Sequence, residues 1–261
     1  LIAPPAGGVK VTKVYTFQRG SYVIDVGYEI ENQGGVAVQP DAYFQLIRDG
    51  RSPDGDSAMM PTYTGMAVYS DKEKFQKVAF TDVDKGKVGY LKKSNDGWIA
   101  FLQHYFLSAW LPANGAPREF YTRVDNGLYA AGVILSLGSI EPGARGALTV
   151  PLYAGPQEQD QLAKLAPGLD LTVDYGWLTV IAKPLFWFLQ WLYHWVGNWG
   201  VAIILLTVTI KALFYPLSAT SYRSMARMRV LAPRLQKLKE QYGDDRQRMN
   251  QAMMELYKTE K

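Results

Sequence analysis

The most constraining feature of this chain is an apolar run near its carboxyl-terminal end, VAIILLTVTIKALFYPL, which begins at Val201. Counted from Trp199 to Leu217, the run has 19 residues. As a helix it would be about 28 Å long, close to the ~30 Å thickness of the hydrocarbon core of a bilayer. We therefore predict a transmembrane helix within residues 197–220. A buried core helix of a soluble protein is the alternative.

The charges around this run are distributed unevenly. From Lys211 onward the chain carries 11 Lys and Arg against 5 Asp and Glu, whereas residues 1–210 carry 17 and 19. Basic residues that flank a span are retained on the cytoplasmic side of the membrane. The pattern predicts that residues 221–261 are cytoplasmic and that residues 1–196 lie on the opposite side of the membrane. No signal peptide is visible, so we expect the sequence to be a segment of a longer protein.

The first part of the chain, residues 1–170, has the sequence pattern of a β-sandwich. Apolar and polar residues alternate over short segments, as they do in half-buried strands, and turn residues separate the segments. The predicted strands are 9–18, 21–32, 98–110, 118–124, 128–137 and 146–156, and the predicted turns are 19–21, 125–127 and 141–143. We also predict a long surface loop at 50–75 and a short polar helix or linker at 156–170.

Five of the seven tryptophans follow within one short stretch. Tryptophan concentrates at membrane–water interfaces, because its apolar ring carries one polar atom and suits both phases. Pro184 and the scattered polar residues argue against a second span, so we predict an amphipathic helix lying in the interface at residues 171–196. An aromatic core helix of a soluble domain is the alternative. The predicted interface anchors are Trp177, Trp187, Trp191, Trp195 and Trp199.

Beyond the apolar run, the helix is expected to continue, and Pro233 should restart or kink it. Gly243 suits the end of a helix and Asp244 the start of the next one. These signals predict a cytoplasmic helical hairpin at residues 221–261. Its five methionines fit either adaptable contacts with apolar partners or ordinary packing between the two helices.

Lys211 is the unusual residue of the apolar run. A lysine at the centre of a span costs roughly 2.5 to 3.5 kcal/mol on insertion scales, less towards the interface. Its side chain could simply reach the cytoplasmic headgroups. However, polar residues recur at helical spacing around it and form one stripe on the helix surface. This stripe predicts a water-filled groove with a positive charge in it, lined by Thr207, Lys211, Tyr215, Ser218 and Tyr222.

The stretch GNWGVAIILLTVTIKALFYPLSATSYRSMARMRVLAPRLQKLKEQYGDDRQRMNQAMMELYK resembles the YidC family of bacterial membrane protein insertases. YGWLTVIAKPLF is similar to the segment of that family that leads into the membrane. The resemblance implies that the front of the chain is a periplasmic β-supersandwich domain. It also implies further spans after the hairpin, which complete a hydrophilic groove open to the cytoplasm and to lipid.

The resemblance also implies roles for individual residues. The family places one basic residue, usually arginine, in the groove, and Lys211 occupies that position here. Lysine keeps the charge but lacks the planar fork of arginine. Thr207 matches a groove-lining position, and Asp244 matches a position linked to the function of the cytoplasmic loop. The other residues that we assign to this loop are Asp245, Arg227 and Arg229. The two arginines could contact anionic headgroups or ribosomal RNA, or they could serve only as topogenic charges.

The implied function is that of an insertase and chaperone of the inner membrane, without covalent chemistry. The implied partners are nascent membrane proteins, the lipid bilayer, components of the Sec translocon and the ribosome, with no small-molecule substrate. Two histidines and no cysteine provide no metal-ligand pattern, so we expect neither a metal nor a cofactor. One alternative is a membrane-tethered enzyme or sugar-binding domain, although His104, in an aromatic run, is expected to be a packed core residue. Another is a structural scaffold that transports nothing.

Overall fold

The computed structural model describes residues 1–3, 5–51, 53, 63–173, 178–242 and 246–259. The chain divides into two compact units, residues 1–174 and 175–261. The first unit is built of β-strands with short helices, and the second consists of helices.

The described strands of the first unit form two antiparallel sheets. The strands are β1 Val9–Phe17, β2 Val23–Asn32, β3 Asp41–Asp49, β4 Gly65–Ser70, β5 Lys74–Val78, β6 Lys93–Ser94, β7 Trp98–Leu102, β8 Phe106–Trp110, β9 Arg118–Asp125, β10 Leu128–Ser136 and β11 Arg145–Pro156. The larger sheet has the order β1-β2-β11-β8-β7-β4-β5, and the smaller one has the order β3-β10-β9-β6.

The predicted turns between strands are confirmed. Gly20 (φ 77°) lies in the turn between β1 and β2, and Asn126 (φ 50°) and Gly127 (φ 77°) join β9 to β10. Both central residues of the second turn have positive φ, as a type I′ hairpin requires. Before β11, the Ala144 amide donates to the Glu141 carbonyl at 2.9 Å, which closes the third predicted turn.

The predicted surface loop at 50–75 is wrong at its carboxyl-terminal end. Residues 65–70 form strand β4, which pairs with β5 on one side and β7 on the other, and every residue of β4 is buried. A strand covered on both faces has no alternation of apolar and polar residues, so the periodicity that marks half-buried strands was missing there. The predicted strand at 98–110 is a hairpin of two strands, β7 and β8.

Apolar side chains fill both faces of the larger sheet. Between the two sheets, Phe44 packs against Trp110 with ring centroids 5.2 Å apart, within a cluster that includes Phe120 and Val133. On the opposite face, Trp98 packs in a second cluster with Leu162 and Leu169. Those two leucines belong to helix α2 (Gln159–Leu165) and to a turn of 3-10 helix (Leu169–Thr172); helix α1 (Phe80–Asp84) is a short connection. The predicted sandwich is therefore confirmed as two antiparallel sheets.

Three helices form the described part of the second unit: α3 Thr179–Val196, α4 Trp199–Tyr242 and α5 Arg246–Thr259. Helix α4 continues through both Pro216 and Pro233, so Pro233 does not restart the helix, and the alternative expectation of a kink there stays a prediction. A proline removes one hydrogen bond from a helix, and the bonds of the adjacent turns still hold a long helix together. Among the described residues, one helical segment, Trp199–Ala226, is long and apolar enough to cross a membrane.

Candidate functional site

The predicted polar stripe lies on the exposed surface of α4. Thr207, Lys211, Tyr215, Ser218 and Tyr222 are all exposed in this unit, and all five belong to the same uninterrupted helix. At roughly 100° per residue, they occupy a sector about 80° wide on one side of the helix. The continuous helix therefore places the five side chains together along a single face.

The Thr207 hydroxyl is already bonded within its own helix. Its Oγ1 donates to the carbonyl of Ile203 at 2.8 Å, and Thr209 makes the same bond to Leu205 at 2.8 Å. A hydroxyl has one donor hydrogen and two acceptor lone pairs. With the hydrogen used by the backbone, Thr207 presents an acceptor to its surroundings. The sequence located Thr207 on the stripe, but its hydrogen-bonding role follows only from the side-chain conformation.

Neither α3 nor α4 as far as residue 239 provides a counter-ion for Lys211. Residues 175–239 contain no Asp or Glu at all. Within the described part of the chain, the Lys211 ammonium has no salt bridge and no hydrogen bond. Lys211 therefore presents a full, uncompensated positive charge on the stripe, and this charge would attract an anionic group that approached along that face.

Helix α3 packs on the other side of α4. Ala202 is fully buried (0% exposed), whereas its neighbours Val201 and Ile203 are exposed. Trp199, one turn earlier, stacks on Tyr193 of α3 with ring centroids 4.1 Å apart and an interplanar angle of 12°. Nine residues separate Ala202 from Lys211, about 180° around the helix axis. The contact with α3 thus leaves the stripe uncovered.

Four of the predicted interface anchors are exposed aromatic residues. Trp187 and Trp195 of α3 are 66% and 76% exposed, and Trp191 and Trp199 are about half exposed. Trp191 contacts both Phe188 and Trp195, each at 5.7 Å between ring centroids. Trp177 lies outside the described residues. Exposure of several indole rings on one helix fits an apolar environment around it better than bulk water.

The residues predicted for the cytoplasmic loop are only partly described. Helix α4 ends at Tyr242 and α5 begins at Arg246, and Asp244 and Asp245 fall outside the described residues. The same holds for the side chain of Arg227. Arg229 is exposed on α4. The roles assigned to these four residues therefore stay predictions.

Among the described residues, no group of three or more His, Cys, Asp and Glu side chains could hold a metal ion. His104 is not the core residue that the sequence predicted: it lies in the turn between β7 and β8, partly exposed, with its ring 3.8 Å from that of Tyr105. The aromatic run that suggested a core position belongs to the two strands that flank this turn.

Sequence reasoning missed two residues of the contact between α3 and α4. Tyr193 and Ala202 were not singled out, although Ala202 is the fully buried residue among the described residues of the helical unit. One signal was available. Ala202 is the single small residue among large apolar ones between Val201 and Leu206, and small residues allow helices to approach closely.

The chain matches two family models over most of its length. Residues 1–188 match the YidC periplasmic domain, and residues 191–261 match the 60Kd inner membrane protein family. Among solved structures, a galactose mutarotase related enzyme from Lactobacillus acidophilus gives a TM-score of 0.37 at 6% identity, over 59% of this chain and 70% of that one. So weak a likeness supports no statement about this chain.

Curated relatives match along the whole chain. Proteins named membrane protein insertase YidC from Nitrosospira multiformis and Nitrosomonas europaea are each 59% identical to it, and one from Aromatoleum aromaticum is 57% identical. Each alignment covers 100% of this chain but 46%, 43% and 48% of the respective relative. The chain thus spans about half the length of the curated relatives that it matches. Its match to the family model over residues 1–188, together with these identities, shows that the chain belongs to the YidC family.

Proposed function

We propose that this chain is part of a membrane protein insertase, and that its polar stripe on α4 contacts the inserting segment. Family membership supports the general activity, since the relatives are named insertases. The observation that carries the site is the position of Lys211. It is an uncompensated cation on an apolar helix, on the side that α3 leaves uncovered. An insertase of this kind performs no covalent chemistry and is not an enzyme.

The proposed mechanism begins with electrostatic attraction. A client segment that carries acidic or strongly polar residues enters a groove from the cytoplasm, and Lys211 attracts it. Within the groove, hydroxyl groups of Thr207, Tyr215, Ser218 and Tyr222 replace part of the hydration that the segment loses. Thr207 contributes an acceptor, because its hydrogen is bonded to Ile203. The apolar part of the client then leaves sideways into lipid, driven by the burial of its apolar surface.

We infer how the chain is arranged in the membrane from its exposed indole rings, its apolar helix and its basic residues. The two-sheet unit is a periplasmic β-supersandwich, α3 is an amphipathic helix in the periplasmic interface, and Trp199–Ala226 contains the span. The remainder of α4 and helix α5 form a cytoplasmic hairpin with the loop residues Asp244 and Asp245. Exposed indole rings on α3 support the interfacial position. The excess of basic residues after Lys211 supports the cytoplasmic one.

The partners follow from this arrangement. Clients are nascent membrane proteins, and lipid surrounds the span and α3. The exposed Arg229 and the neighbouring Arg227 are suited to polyanions, which on the cytoplasmic side are anionic headgroups and ribosomal RNA. Components of the Sec translocon are a further proposed partner, on the basis of family membership alone.

The experiment that tests the proposal compares charge variants at Lys211 in the full-length protein. Cells depleted of their own insertase would express Lys211→Arg, Lys211→Leu or Lys211→Glu at equal levels, and insertion of a small membrane client would be measured. We expect Arg to support insertion and Leu and Glu to abolish it, because only Arg preserves the positive charge. Lys183→Leu, which removes an exposed lysine from α3, is the matched control and should insert clients normally.

Two results would contradict the proposal. Equal insertion by all three Lys211 variants would show that the lysine only reaches for headgroups. Loss of insertion by Lys183→Leu as well as by Lys211→Leu would show that total positive charge, and not a charge on the stripe, is what matters.

A further inference from the structure

The connection between α3 and α4 is a short turn with fixed backbone geometry. Gly197 ends α3 in the left-handed conformation (φ 64°, ψ 10°), and its amide donates to the Tyr193 carbonyl at 2.7 Å. Asn198 begins α4: its Oδ1 accepts from the Val201 amide at 3.2 Å, and its carbonyl accepts from the Ala202 amide at 3.0 Å. Both helix ends are therefore capped within two consecutive residues, which leaves little freedom to the backbone between them.

Side-chain contacts between α3 and α4 also fix the geometry of this turn. Tyr193, in the last turn of α3, stacks on Trp199, in the first turn of α4, at 4.1 Å and 12°. Ala202, the next residue on that side of α4, is fully buried. A larger side chain at 202 would meet atoms that are already packed, and overpacking of this kind is destabilising. The angle between α3 and α4 is thus held by backbone caps, a ring stack and a close contact.

A transmembrane helix by itself does not fix its own depth. It can tilt or shift along its axis to match the bilayer at a modest cost in free energy. Lys211 lies 12 residues beyond Trp199, about 18 Å along the axis, so its ammonium would be inside the hydrocarbon region. A charged lysine is unfavourable there, so it would pull an untethered helix towards the cytoplasm until the ammonium reached water. The helix needs a feature that resists this pull.

Helix α3 has the properties needed to resist the pull of Lys211 towards the cytoplasm. Its indole rings favour the interface over both water and hydrocarbon. Because the turn is rigid, a shift of α4 towards the cytoplasm would drag α3 and its polar groups, including His194, into the hydrocarbon region. We propose that the α3–α4 turn is a depth stop, in which Tyr193, Gly197, Trp199 and Ala202 are positioning residues that hold Lys211 inside the membrane. This inference rests on the proposed function in one respect: the depth of Lys211 affects client insertion only if Lys211 attracts the client segment.

The test measures depth directly at the far end of the span. Thr220 lies 21 residues beyond Trp199, about 31 Å along the helix, where the ~30 Å hydrocarbon core should end. The segment contains no cysteine, so Thr220→Cys provides a single reporter in a full-length protein whose other cysteines are removed. The rate at which a water-soluble maleimide labels this cysteine in native membranes reports how far α4 extends into the cytoplasm.

We expect Ala202→Leu to accelerate labelling at position 220, because the displaced α3 no longer holds the helix in place. Ala212→Leu adds the same atoms at an exposed position of the same helix and should leave labelling unchanged. Tyr193→Leu, which loses the ring stack, should accelerate labelling, whereas Tyr193→Phe, which keeps the ring, should not. Addition of Lys211→Leu to Ala202→Leu should return labelling to the unmodified rate, because the pull of the lysine is gone.

These variants distinguish a specific effect on the depth of α4 from a general structural defect. Misfolding caused by Ala202→Leu would not be reversed by a second substitution 180° away on the helix. Unchanged labelling in both Ala202→Leu and Tyr193→Leu would overturn the proposal, as would equal acceleration by Ala212→Leu. Client insertion is measured in parallel. Accelerated labelling with normal insertion would retain the depth stop and contradict the proposed role of Lys211, so the two proposals fail separately.

Discussion

The indole of Trp98 donates its Nε1 hydrogen to the carbonyl of Pro167 at 3.0 Å. This bond joins the first residue of β7 to the segment between α2 and the 3-10 turn, and the Trp98 ring is only 1% exposed. The Tyr69 ring stacks on the Trp98 ring at 5.8 Å, with 9° between the ring planes. The segment that leaves the β unit is therefore fixed to the face of the larger sheet before the helices begin.

We predict that Trp98→Phe destabilises the β unit more than Trp110→Phe does. Both tryptophans are buried, but the Trp110 Nε1 has no hydrogen-bond partner in the described part of the chain. Loss of the Trp98 bond leaves the Pro167 carbonyl without its donor, which costs about 1–3 kcal/mol beyond the lost packing. Denaturant unfolding of the two variants, followed by circular dichroism, measures the difference. A larger loss in Trp110→Phe would contradict the expectation.

Arg118 should be a strong determinant of stability in the same region. It is 3% exposed, and its guanidinium donates to five main-chain carbonyls, those of Asn95, Gly97, Pro112, Ala113 and Ala116. Arg118→Lys offers only three donors on a flexible stem and cannot bond all five. We expect about 3 kcal/mol of destabilisation, as when a buried charged group loses partners. Arg123→Lys, at an exposed arginine in β9, is the control and should unfold like the unmodified protein.

Two glycines with the same backbone angle allow steric overlap to be separated from backbone strain. Gly97 and Gly115 both have φ of 90°. A Cβ at Gly115 would have nothing within 4 Å, whereas a Cβ at Gly97 would overlap the Tyr69 carbonyl. Gly115→Ala should cost about 1–2 kcal/mol from the left-handed backbone alone. Gly97→Ala should cost clearly more, and equal melting temperatures for the two variants would contradict the packing at β4.

Alkaline pH should destabilise the β unit through two tyrosines that folding shields from water. Burial raises the pKa of Tyr63 and of Tyr90 above the ordinary value of 10, because the phenolate is disfavoured away from water. The folded state holds these protons more tightly than the unfolded state does, so their contribution is complete below pH 10 and is lost as the pH rises above it. Unfolding measured between pH 8 and 11 should show this loss. Tyr90→Phe should reduce its steepness, and an unchanged slope would contradict the assignment.

Two threonines of α4 test the stripe without changing any charge. Thr207 and Thr209 both bond to the carbonyl four residues earlier at 2.8 Å, but only Thr207 lies on the stripe. Thr207→Val should lower client insertion by roughly fivefold, the effect of one hydrogen bond of about 1 kcal/mol. Thr209→Val should insert clients normally. Equal loss in both variants would indicate a helix defect and contradict a specific role of the stripe.

Local sequence determined the parts of this protein in which composition and spacing suffice. The length of the apolar run predicted the candidate span, and 100° periodicity placed Lys211 and Thr207 on one face, since a helix converts sequence spacing directly into angle. The turn at Asn126 and Gly127 was equally local, because its backbone conformation excludes most other residues. These features need no knowledge of distant contacts.

The tertiary structure decided what depends on partners far away in sequence. Strand β4 has no periodicity of its own, and its place between β5 and β7 arises from pairing and from burial on both faces. Ala202 became a contact only because the turn at Gly197 brings α3 against it, and Trp98 became an anchor only because Pro167, 69 residues later, returns to it. Such contacts form when whole strands and helices pack against one another. The packed surfaces combine residues that are far apart in sequence, so a short stretch of sequence cannot reveal them.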